Sequence, residues 1–525
     1  MASGRTTVGH PDSRFGSARS VAVIGAGIGG VSAAAYLLKE GLSVTVFERS
    51  GVVGGIWHFD ERIPKDPLYP SQGPSLGDFK VSQRGEFASL PLTPPPEPFI
   101  DEDIDADLEV SFAPPGPCYA GLKTNIPTNV LVSSLGPWPE GTEQLISQEL
   151  AEKYIQGLAT EHGVTAVTQF HTRVDEVRTT TTPDGAKWEV RTVSLSKEKE
   201  HGSAGLKERL WHFDLVVVAT GHYSMPRVPD FPGLKELKAA FPERIIHSKQ
   251  YRRPQRFQGQ NVLVIGAGVS SSDICRELAG VANKVYQSVR GGMYDTPAHL
   301  LPNSTLRVSE IAEFRQLKGG AIAGEQHLAP VQPIPAQIVL RDGAALDDIH
   351  HVVLATGYIT SYPFLAHLHS DEANLDEAGD DVLITSDGNM VHNLHRDIFY
   401  IPDPTLAFIG VPYHAATFTL FGFQAQALAR VFAGSADLPA REVMVEEYKN
   451  KIKEKELGRS FHSLARPGAE VDYVMGLVNW VNNDGDAVGK QRILAPAEEW
   501  VKEYDVFKTR LTGEWFGEKS QRSEV

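Results

Sequence analysis

Cysteine is scarce in this sequence. Cys118 and Cys275 are the only cysteines among 525 residues, and they lie far apart in the chain. Dithiol redox enzymes and disulfide-stabilised domains depend on cysteines at close or repeated spacings, which are missing here. We therefore exclude a dithiol reductase and a disulfide scaffold, and we expect a reducing, cytoplasmic setting.

Positive charge is scarce as well. The chain carries 50 Lys and Arg against 66 Asp and Glu, which gives a formal net charge of -16. Proteins that bind a nucleic acid backbone use clustered Lys and Arg side chains to displace its counterions. We therefore expect no nucleic-acid partner.

Long apolar runs are also missing. Residues 1–19 lack the apolar segment of a secretory signal. The uncharged stretch 404–429 is interrupted by Pro412 and His414, and its start is typical of a buried strand followed by a separate helix. We expect no membrane span. The composition is otherwise that of a globular protein, and the length predicts two or more domains.

Residues 20–48 have the pattern of a complete βαβ unit. A strand (21–24), a glycine turn (25–30), a helix (31–39) and a second strand (43–47) follow one another. Gly25 permits the tight turn, Gly27 lets the backbone approach a pyrophosphate, and Gly30 lets the helix pack on the strand. Glu48 ends the second strand, where a carboxylate accepts hydrogen bonds from ribose hydroxyls. The unit predicts a dinucleotide site.

The pattern recurs at residues 261–290. A strand (262–265) leads to a turn with Gly266, Gly268 and Ser271 at the three glycine positions, then to a helix ending at 278 and a strand (284–289). Ser271 is small enough for the third position. Ser288 and Arg290 stand where the first unit has its acid. A guanidinium binds a ribose 2′-phosphate, which a carboxylate would repel, so this unit predicts NADPH rather than NADH.

The two units therefore predict two different dinucleotides. The dinucleotide at the first unit has ribose hydroxyls that can donate to a carboxylate, and the dinucleotide at the second unit carries an additional phosphate. FAD together with NADPH satisfies both requirements.

Several further segments carry a specific resemblance. They are Gly-Gly-Ile-Trp at 54–57, the segment 119–127 with Thr-Asn-Ile-Pro at its end, Ala-Thr-Gly-His-Tyr at 219–223 with prolines following up to Gly233, and a second Ala-Thr-Gly at 355–357. Together they resemble the flavin-containing monooxygenases, a family of class B flavoprotein monooxygenases. The resemblance implies that Gly55, Trp57, Thr220 and Gly221 lie along FAD. It also implies that Asn125 faces the flavin and the nicotinamide.

Residues 241–251 are similar to the FxGxxxHxxxY fingerprint of this family. Tyr251 at the last position favours the flavin-containing monooxygenases over the Baeyer-Villiger enzymes, which have Trp there. Glu243 replaces the family glycine, so the local turn can differ. His247 is either a general acid or base or, as we favour, a structural linker.

The segments 408–412 and 418–434 resemble the strand and helix that cover the flavin pyrimidine. Gln424 matches the family glutamine by its spacing to Gly434. A helix N-terminus at this place would favour negative charge on the reduced flavin.

Residues 60–117 form an insertion rich in proline. Twelve prolines lie between Pro64 and Pro117, including the run 94–96, and the acidic run 101–109 lies among them. Proline at this density blocks regular helix and sheet. The insertion is either a substrate lid or a solvated loop. Residues 194–209, rich in Lys and Glu, predict an exposed hairpin excursion.

We expect an α/β fold with two Rossmann-like dinucleotide-binding domains, the NADPH domain inserted into the FAD domain. The predicted segments are 1–225 and 341–525 for FAD and 226–340 for NADPH. The resemblance implies that hydride from NADPH reduces FAD and that O2 forms a C4a-hydroperoxyflavin, which oxidises nitrogen or sulfur of a small molecule. The open alternatives are Baeyer-Villiger oxidation of a ketone, an NADPH oxidase that releases hydrogen peroxide, and a catalytically silent FAD-binding protein.

Overall fold

The structure is a computed structural model that describes residues 15, 18–89, 106–183, 185–195, 205–292, 295–317, 328–329, 331–487 and 489–516. Its strands are β1 (Ser20–Ile24), β2 (Ser43–Phe47), β3 (Ala88–Ser89), β4 (Thr168–Gln169), β5 (Thr172–Thr182), β6 (Gly185–Leu195), β7 (Leu206–Phe213), β8 (Leu215–Val218), β9 (Met225–Pro226), β10 (Ile245–His247), β11 (Asn261–Ile265), β12 (Lys284–Ser288), β13 (Thr305–Val308), β14 (Ile311–Gln316), β15 (Ala336–Leu340), β16 (Ala345–Leu346), β17 (His351–Leu354), β18 (Tyr358–Ile359), β19 (His369–Ser370), β20 (Ile384–Thr385), β21 (Leu394–His395), β22 (Phe399–Tyr400) and β23 (Leu406–Phe408). Its α-helices are α1 (Ile28–Lys39), α2 (Ala106–Phe112), α3 (Gln148–Glu161), α4 (Leu234–Ala240), α5 (Val269–Leu278), α6 (Thr417–Phe432), α7 (Arg441–Glu454), α8 (Ala469–Ala487) and α9 (Glu498–Phe516).

The first sheet has the strand order β21-β22-β23-β8-β1-β2-β4. The five strands from β23 to β4 are parallel, and β21 and β22 extend the sheet antiparallel. The residues of β8, Leu-Val-Val-Val, are all buried, which is the pattern of a central parallel strand covered on both faces. Helix α1 packs against α6 beside this sheet.

The second sheet has the order β10-β17-β11-β12-β13 and is parallel throughout. The mixed α/β class with two parallel nucleotide-type sheets, predicted from the sequence, is confirmed. Strand β17 lies between β10 and β11, so this sheet continues past residue 340, where the sequence prediction ended the second domain. The other predicted domain limits stay a prediction.

The chain crosses between the two sheets twice, and both crossings lie at one place. Strand β9 follows the first Ala-Thr-Gly turn, β18 follows the second, and the two strands pair antiparallel. The backbone N–H of Arg227 donates to the carbonyl oxygen of Gly357 over 2.9 Å. The two turns therefore meet between the sheets.

Strands β5, β6 and β7 form an antiparallel sheet with β3 at its edge. Leu195 pairs with Leu206, so the predicted hairpin excursion begins and ends as a β-hairpin, while its tip at 196–204 lies outside the described residues. No helix in the described part of the chain combines the length and the apolar character of a membrane span.

Candidate nucleotide and active site

The first glycine turn leaves an uncapped helix N-terminus. Gly25 has a φ of 101°, and a Cβ there would stand 2.8 Å from the carbonyl oxygen of Ala219. A Cβ on Gly30 would overlap the carbonyl oxygen of Gly25. Gly27 is the N-cap of α1 and provides no side chain to bond the first N–H groups of the helix. Free N–H groups at a helix N-terminus bind phosphate, so this turn fits a dinucleotide.

Glu48 organises the same turn. Its buried carboxylate accepts hydrogen bonds from the N–H of Ala26 and the N–H of Ser50, each over 2.8 Å. A carboxylate has about four lone-pair positions, so acceptor capacity remains for ribose hydroxyls. The predicted ribose role stays a prediction.

The remaining residues expected along FAD lie beside the first turn. A Cβ on Gly55, whose φ is 57°, would stand 2.8 Å from the Cα of Gly27. The ring of Trp57 meets Phe418 of α6 edge to face at 6.1 Å. The hydroxyl of Thr220 is buried and has no hydrogen-bond partner among the described residues. An orphaned hydroxyl next to Gly221, at the end of β8, fits a polar ligand such as FAD.

The second glycine turn repeats this geometry with one change. Gly266 has a φ of 117°, and Gly268 is the uncapped N-cap of α5. Ser271 at the third position donates its hydroxyl to the carbonyl oxygen of Gly266 over 2.6 Å and accepts from Gln287 over 2.9 Å. The serine thus closes the turn that glycine closes in the first unit, and the N-terminus of α5 remains open for a pyrophosphate.

Ser288 and Arg290 differ in their availability. The hydroxyl of Ser288 is buried and donates to the carbonyl oxygen of Ser309 over 2.9 Å. Arg290 is exposed and forms no ion pair with a described residue. Arg290 is therefore available to a ligand, while the hydroxyl of Ser288 is bound within the protein; their predicted roles at the 2′-phosphate stay predictions.

A small hollow lies where the two Ala-Thr-Gly turns meet. We call it the junction hollow, and its walls are His222, Tyr223, Tyr358, Asn389, Tyr413 and Arg459. The ring of His222 stands 4.4 Å from both the Tyr223 and the Tyr413 rings. Burial, together with the charge of Arg459, lowers the pKa of His222 to about 4, so this imidazole is neutral at physiological pH.

His247 links the fingerprint segment to the second turn. Its Nε2 donates to the carbonyl oxygen of Gly357 over 3.0 Å, and its Nδ1 accepts from the N–H of Lys249 over 3.1 Å. Burial lowers its pKa to about 3. Both ring nitrogens are occupied within the protein, which supports the structural interpretation. Tyr251 is also buried and donates to Glu277 over 2.7 Å.

Part of the proline-rich insertion is fixed across the two sheets. We call residues 58–89 the strap. Its Asp78 lies between Arg49 (3.0 Å), which follows β2, and Lys249 (2.8 Å), which follows β10. Burial raises the pKa of Asp78, but these two cations outweigh that effect and hold it well below its usual range. A second pair joins Asp66 to Lys238 over 2.7 Å.

The solvated-loop interpretation therefore does not describe the strap. Residues 90–105, which include the run of three prolines and the start of the acidic run, lie outside the described residues.

A buried polar network surrounds helix α6. Gln424 accepts from the N–H of Gly410 over 3.1 Å and donates to Tyr473 over 2.8 Å. The N–H of Ala416, the N-cap of α6, donates to both oxygens of Glu470 at 3.0 Å. The expectation that this helix N-terminus serves the reduced flavin thus meets a competing carboxylate, which the sequence did not reveal. Both ends of Gln424 are bound to protein, so its predicted contact with FAD stays a prediction.

Asn125 lies in an exposed turn between two fixed points. The N–H of Thr124 donates to the carbonyl oxygen of Ile146 over 2.8 Å, and Ile126 packs into the core beside α6. Its amide is exposed. It is available to a ligand, and its predicted role at the flavin is not tested by the protein contacts.

Sequence reasoning identified both glycine turns and both Ala-Thr-Gly turns, but it missed the junction hollow. Tyr413 and Arg459 come from distant loops and belong to no motif. It also missed the pairing of Asp78 with Lys249 across 171 positions. Both cysteines are free and buried, and burial raises the pKa of each thiol to about 12.

The fold and site define an α/β protein with two glycine turns that fit dinucleotides and that lie at a common junction. A family model described as flavin-binding monooxygenase-like matches residues 117–296 and 323–486, and one described as an NAD(P)-binding Rossmann-like domain matches residues 23–71.

Among curated proteins, the chain is 38% identical to the flavin-containing monooxygenase ustF2 of Aspergillus flavus, over 93% of this chain and 97% of that protein. It is 30% identical to the flavin-containing monooxygenase iboF of Amanita muscaria, over 90% of each.

Solved structures share the fold. S-allyl-L-cysteine S-oxygenase from Allium sativum has a TM-score of 0.64 and 24% identity, covering 94% of this chain and 93% of that one. Tmm from a Pelagibacter strain has a TM-score of 0.61 and 20% identity, covering 88% and 86%. The chain belongs to the flavin-containing monooxygenase family. It is a flavin-dependent monooxygenase, and FAD and NADPH are its cofactors.

Proposed function

We propose that this enzyme transfers one oxygen atom of O2 to a nitrogen or sulfur atom of a small molecule. The balanced reaction consumes the substrate, NADPH, a proton and O2, and it yields the oxide, NADP⁺ and water. Bound FAD supplies the redox chemistry, because it accepts hydride from NADPH and activates O2. The supporting observation is that each glycine turn packs against one Ala-Thr-Gly turn, Gly25 against Ala219 and Gly266 against Ala355, and that the two Ala-Thr-Gly turns meet. Both glycine turns lead into an uncapped helix N-terminus.

The chain's own residues bind and orient. We assign the N-terminus of α1 and Glu48 to FAD, and the N-terminus of α5 and Arg290 to NADPH. Helix N-termini favour phosphate, and the turns at Gly221 and Gly357 meet where β9 pairs with β18, which supports assigning the ring-bearing ends of both cofactors to this place. Asn125 is assigned to the ring region as a hydrogen-bonding group. No side chain needs to act as a nucleophile.

Baeyer-Villiger oxidation is the second candidate, and Tyr251 argues against it. Release of hydrogen peroxide is the third, because shielding of the flavin depends on bound NADP⁺ rather than on one side chain. These three outcomes differ in their products.

The purified protein should be yellow and should oxidise NADPH in air far faster than NADH. Amines, sulfides and ketones should then be incubated with the holoenzyme and NADPH, and the products and hydrogen peroxide measured. An N-oxide or sulfoxide in proportion to the NADPH consumed supports the proposal. An ester from a ketone alone, or hydrogen peroxide equal to the NADPH consumed with every substrate, would contradict it.

A further inference from the structure

We propose that the substrate carries a carboxylate and that Arg459, at the mouth of the junction hollow, binds it. This assignment rests on the proposed function, and it adds the substrate class.

The junction hollow lies where a substrate group can accompany the reacting atoms. It is built on the segments that follow β8 and β17, the strands that end in the two Ala-Thr-Gly turns. Ligands of α/β sheets bind outside the carboxyl ends of the parallel strands. In the proposed function, hydride also passes between the cofactors at this junction. A group bound to Arg459 therefore lies next to the place of reaction.

Arg459 is exposed and has no carboxylate within ion-pair distance among the described residues. The guanidinium of Arg459 lies against Gly357. A Cβ built on that glycine would stand 3.5 Å from Nη1 of Arg459. Burial lowers the pKa of Arg227 at the same junction, and the charges of Arg459 and Arg290 lower it further, although Asp387 opposes them. In a chain with a net charge of -16, this junction is positive. It is therefore complementary to an anion.

The positive charge at the hollow is held by specific contacts. Arg227 donates to the carbonyl oxygen of Asp387 over 2.7 Å and to the side-chain oxygen of Asn389 over 2.8 Å. These contacts fix its direction but do not neutralise it. Among the described residues, no side chain or carbonyl accepts a hydrogen bond from the guanidinium of Arg459, so its planar set of N–H donors is available for a bidentate carboxylate.

The size of the junction hollow favours an end group over a whole molecule. Its volume is about 10 Å³, the space of about one water molecule, so it can take one oxygen of a carboxylate while the rest of that group lies at the mouth beside Arg459. His222, Tyr223 and Tyr413 surround it with aromatic rings. An end group there exchanges water for a guanidinium in a partly apolar surrounding, where a charged hydrogen bond is stronger than in water.

The phosphates of NADPH have other candidate partners. The N-terminus of α5 is open for the pyrophosphate, and Arg290 is free for the 2′-phosphate. Arg459 comes from the segment after α7, outside the second sheet, and its guanidinium lies against Gly357. We therefore assign Arg459 to the substrate.

The test compares methylthioacetate with its neutral amide, methylthioacetamide, on the holoenzyme with NADPH and O2. The variants are Arg459→Gln, Arg459→Lys and, as a control, Arg441→Gln, which changes an exposed arginine at the start of α7. Sulfoxide formation gives kcat/KM for each probe, and titration of the flavin absorbance gives Kd for NADP⁺. We expect the wild-type enzyme to prefer the acid, and Arg459→Gln to reduce that preference about 10- to 100-fold.

Arg459→Lys should retain part of the preference, and Arg441→Gln should retain all of it. Kd for NADP⁺ should be unchanged in every variant. A higher Kd for NADP⁺ in Arg459→Gln would assign this arginine to the nucleotide and overturn the proposal. An equal loss on both probes, or a wild-type enzyme that converts neither or treats them alike, would overturn it too. Failure of NADPH to reduce the flavin at all would instead contradict the proposed function.

Discussion

At their third position, the two glycine turns differ by one hydroxymethyl side chain, since Gly30 stands in the first turn and Ser271 in the second. In the first turn, a Cβ on Gly30 would overlap the carbonyl oxygen of Gly25. In the second, Ser271 occupies the same position, and its hydroxyl donates to the carbonyl oxygen of Gly266. The same motif position therefore tolerates a side chain in one cradle and excludes it in the other.

Gly30→Ala should abolish or strongly reduce FAD binding, because the added methyl group meets backbone that cannot move without opening the turn. The measurement is the ratio of flavin to protein in the purified variant. Ser271→Ala is the matched control, since it removes the two hydrogen bonds of the Ser271 hydroxyl, each worth about 1 kcal/mol, and leaves the first glycine turn intact. Full flavin content in Gly30→Ala would show that the first turn is not the FAD site.

Arg290→Gln should weaken recognition of NADPH and leave NADH unaffected. Loss of a hydrogen bond to a charged group costs about 1 to 3 kcal/mol, which corresponds to a decrease in kcat/KM for NADPH of about 5- to 150-fold. Steady-state rates with both nucleotides measure the effect, and NADH is the internal control. A parallel loss with NADH would remove Arg290 from the 2′-phosphate.

Asn125→Ala should uncouple NADPH consumption from product formation if the exposed amide serves the ring region, as we propose. The measurement is the ratio of hydrogen peroxide to oxygenated product. Asn129→Ala changes a nearby exposed asparagine that bonds Glu503 and is the control. Unchanged coupling in Asn125→Ala would exclude this residue from the site.

The sequence was informative where local sterics demand one residue type. Gly25 and Gly266 both adopt positive φ, and each stands against a strand-end carbonyl, so a short motif records a three-dimensional constraint. Tyr413 meets His222 after the first Ala-Thr-Gly turn, and Arg459 meets Gly357 of the second, only after the whole chain has folded. No spacing encodes that meeting, and this is why the junction hollow could not be predicted.

At the scale of elements, the strap is held in place by its contacts with both sheets, whereas a solvated loop was one of the two structures expected for this part of the insertion. Proline-rich chain cannot form regular ladders, yet the strap is held by side chains. The N–H of Ser71 donates to the carbonyl oxygen of Val228, and the N–H of Val228 donates to the hydroxyl oxygen of Ser71. The N–H and the hydroxyl of Ser82 both donate to the carboxylate of the buried Asp175. The sequence revealed the absence of regular structure here but not the partners, which lie more than ninety positions away in each case.

Asp78→Asn should destabilise the protein by about 3 to 5 kcal/mol, because it leaves Arg49 and Lys249 without their shared buried anion. Urea unfolding monitored by fluorescence measures the free energy of unfolding. Glu61→Gln removes the exposed pair with Arg253 in the same strap, and we expect little change from it. Equal effects of the two substitutions would contradict a role of the strap in joining the sheets.

At the scale of the whole molecule, buried histidines make stability depend on pH. Burial lowers the pKa of His392 to about 4 and those of His247 and His351 to about 3. The unfolded chain takes up these protons near pH 6.5, and the folded chain does so only at lower pH. The stabilisation is therefore complete above about pH 6.5 and is lost as the pH falls towards the folded pKa values.

Each such histidine contributes a slope of up to about 1.4 kcal/mol per pH unit. We expect the free energy of unfolding to fall steeply between about pH 6.5 and pH 4. His392→Gln should reduce that slope by up to about 1.4 kcal/mol per pH unit, which is the contribution of one proton. Urea titrations at several pH values measure it. A slope that is flat across this interval would mean that these imidazoles remain accessible to protons in the native state.

The antiparallel pairing of β9 with β18 brings both covalent passages between the sheets onto one narrow ribbon. The strap is a second tie between the sheets, because its Asp78 is held by Arg49 after β2 and by Lys249 after β10. The sheets are therefore joined by backbone hydrogen bonds at the ribbon and by buried charge at the strap. A rotation of one sheet about the ribbon would have to separate Asp78 from one of its two cations.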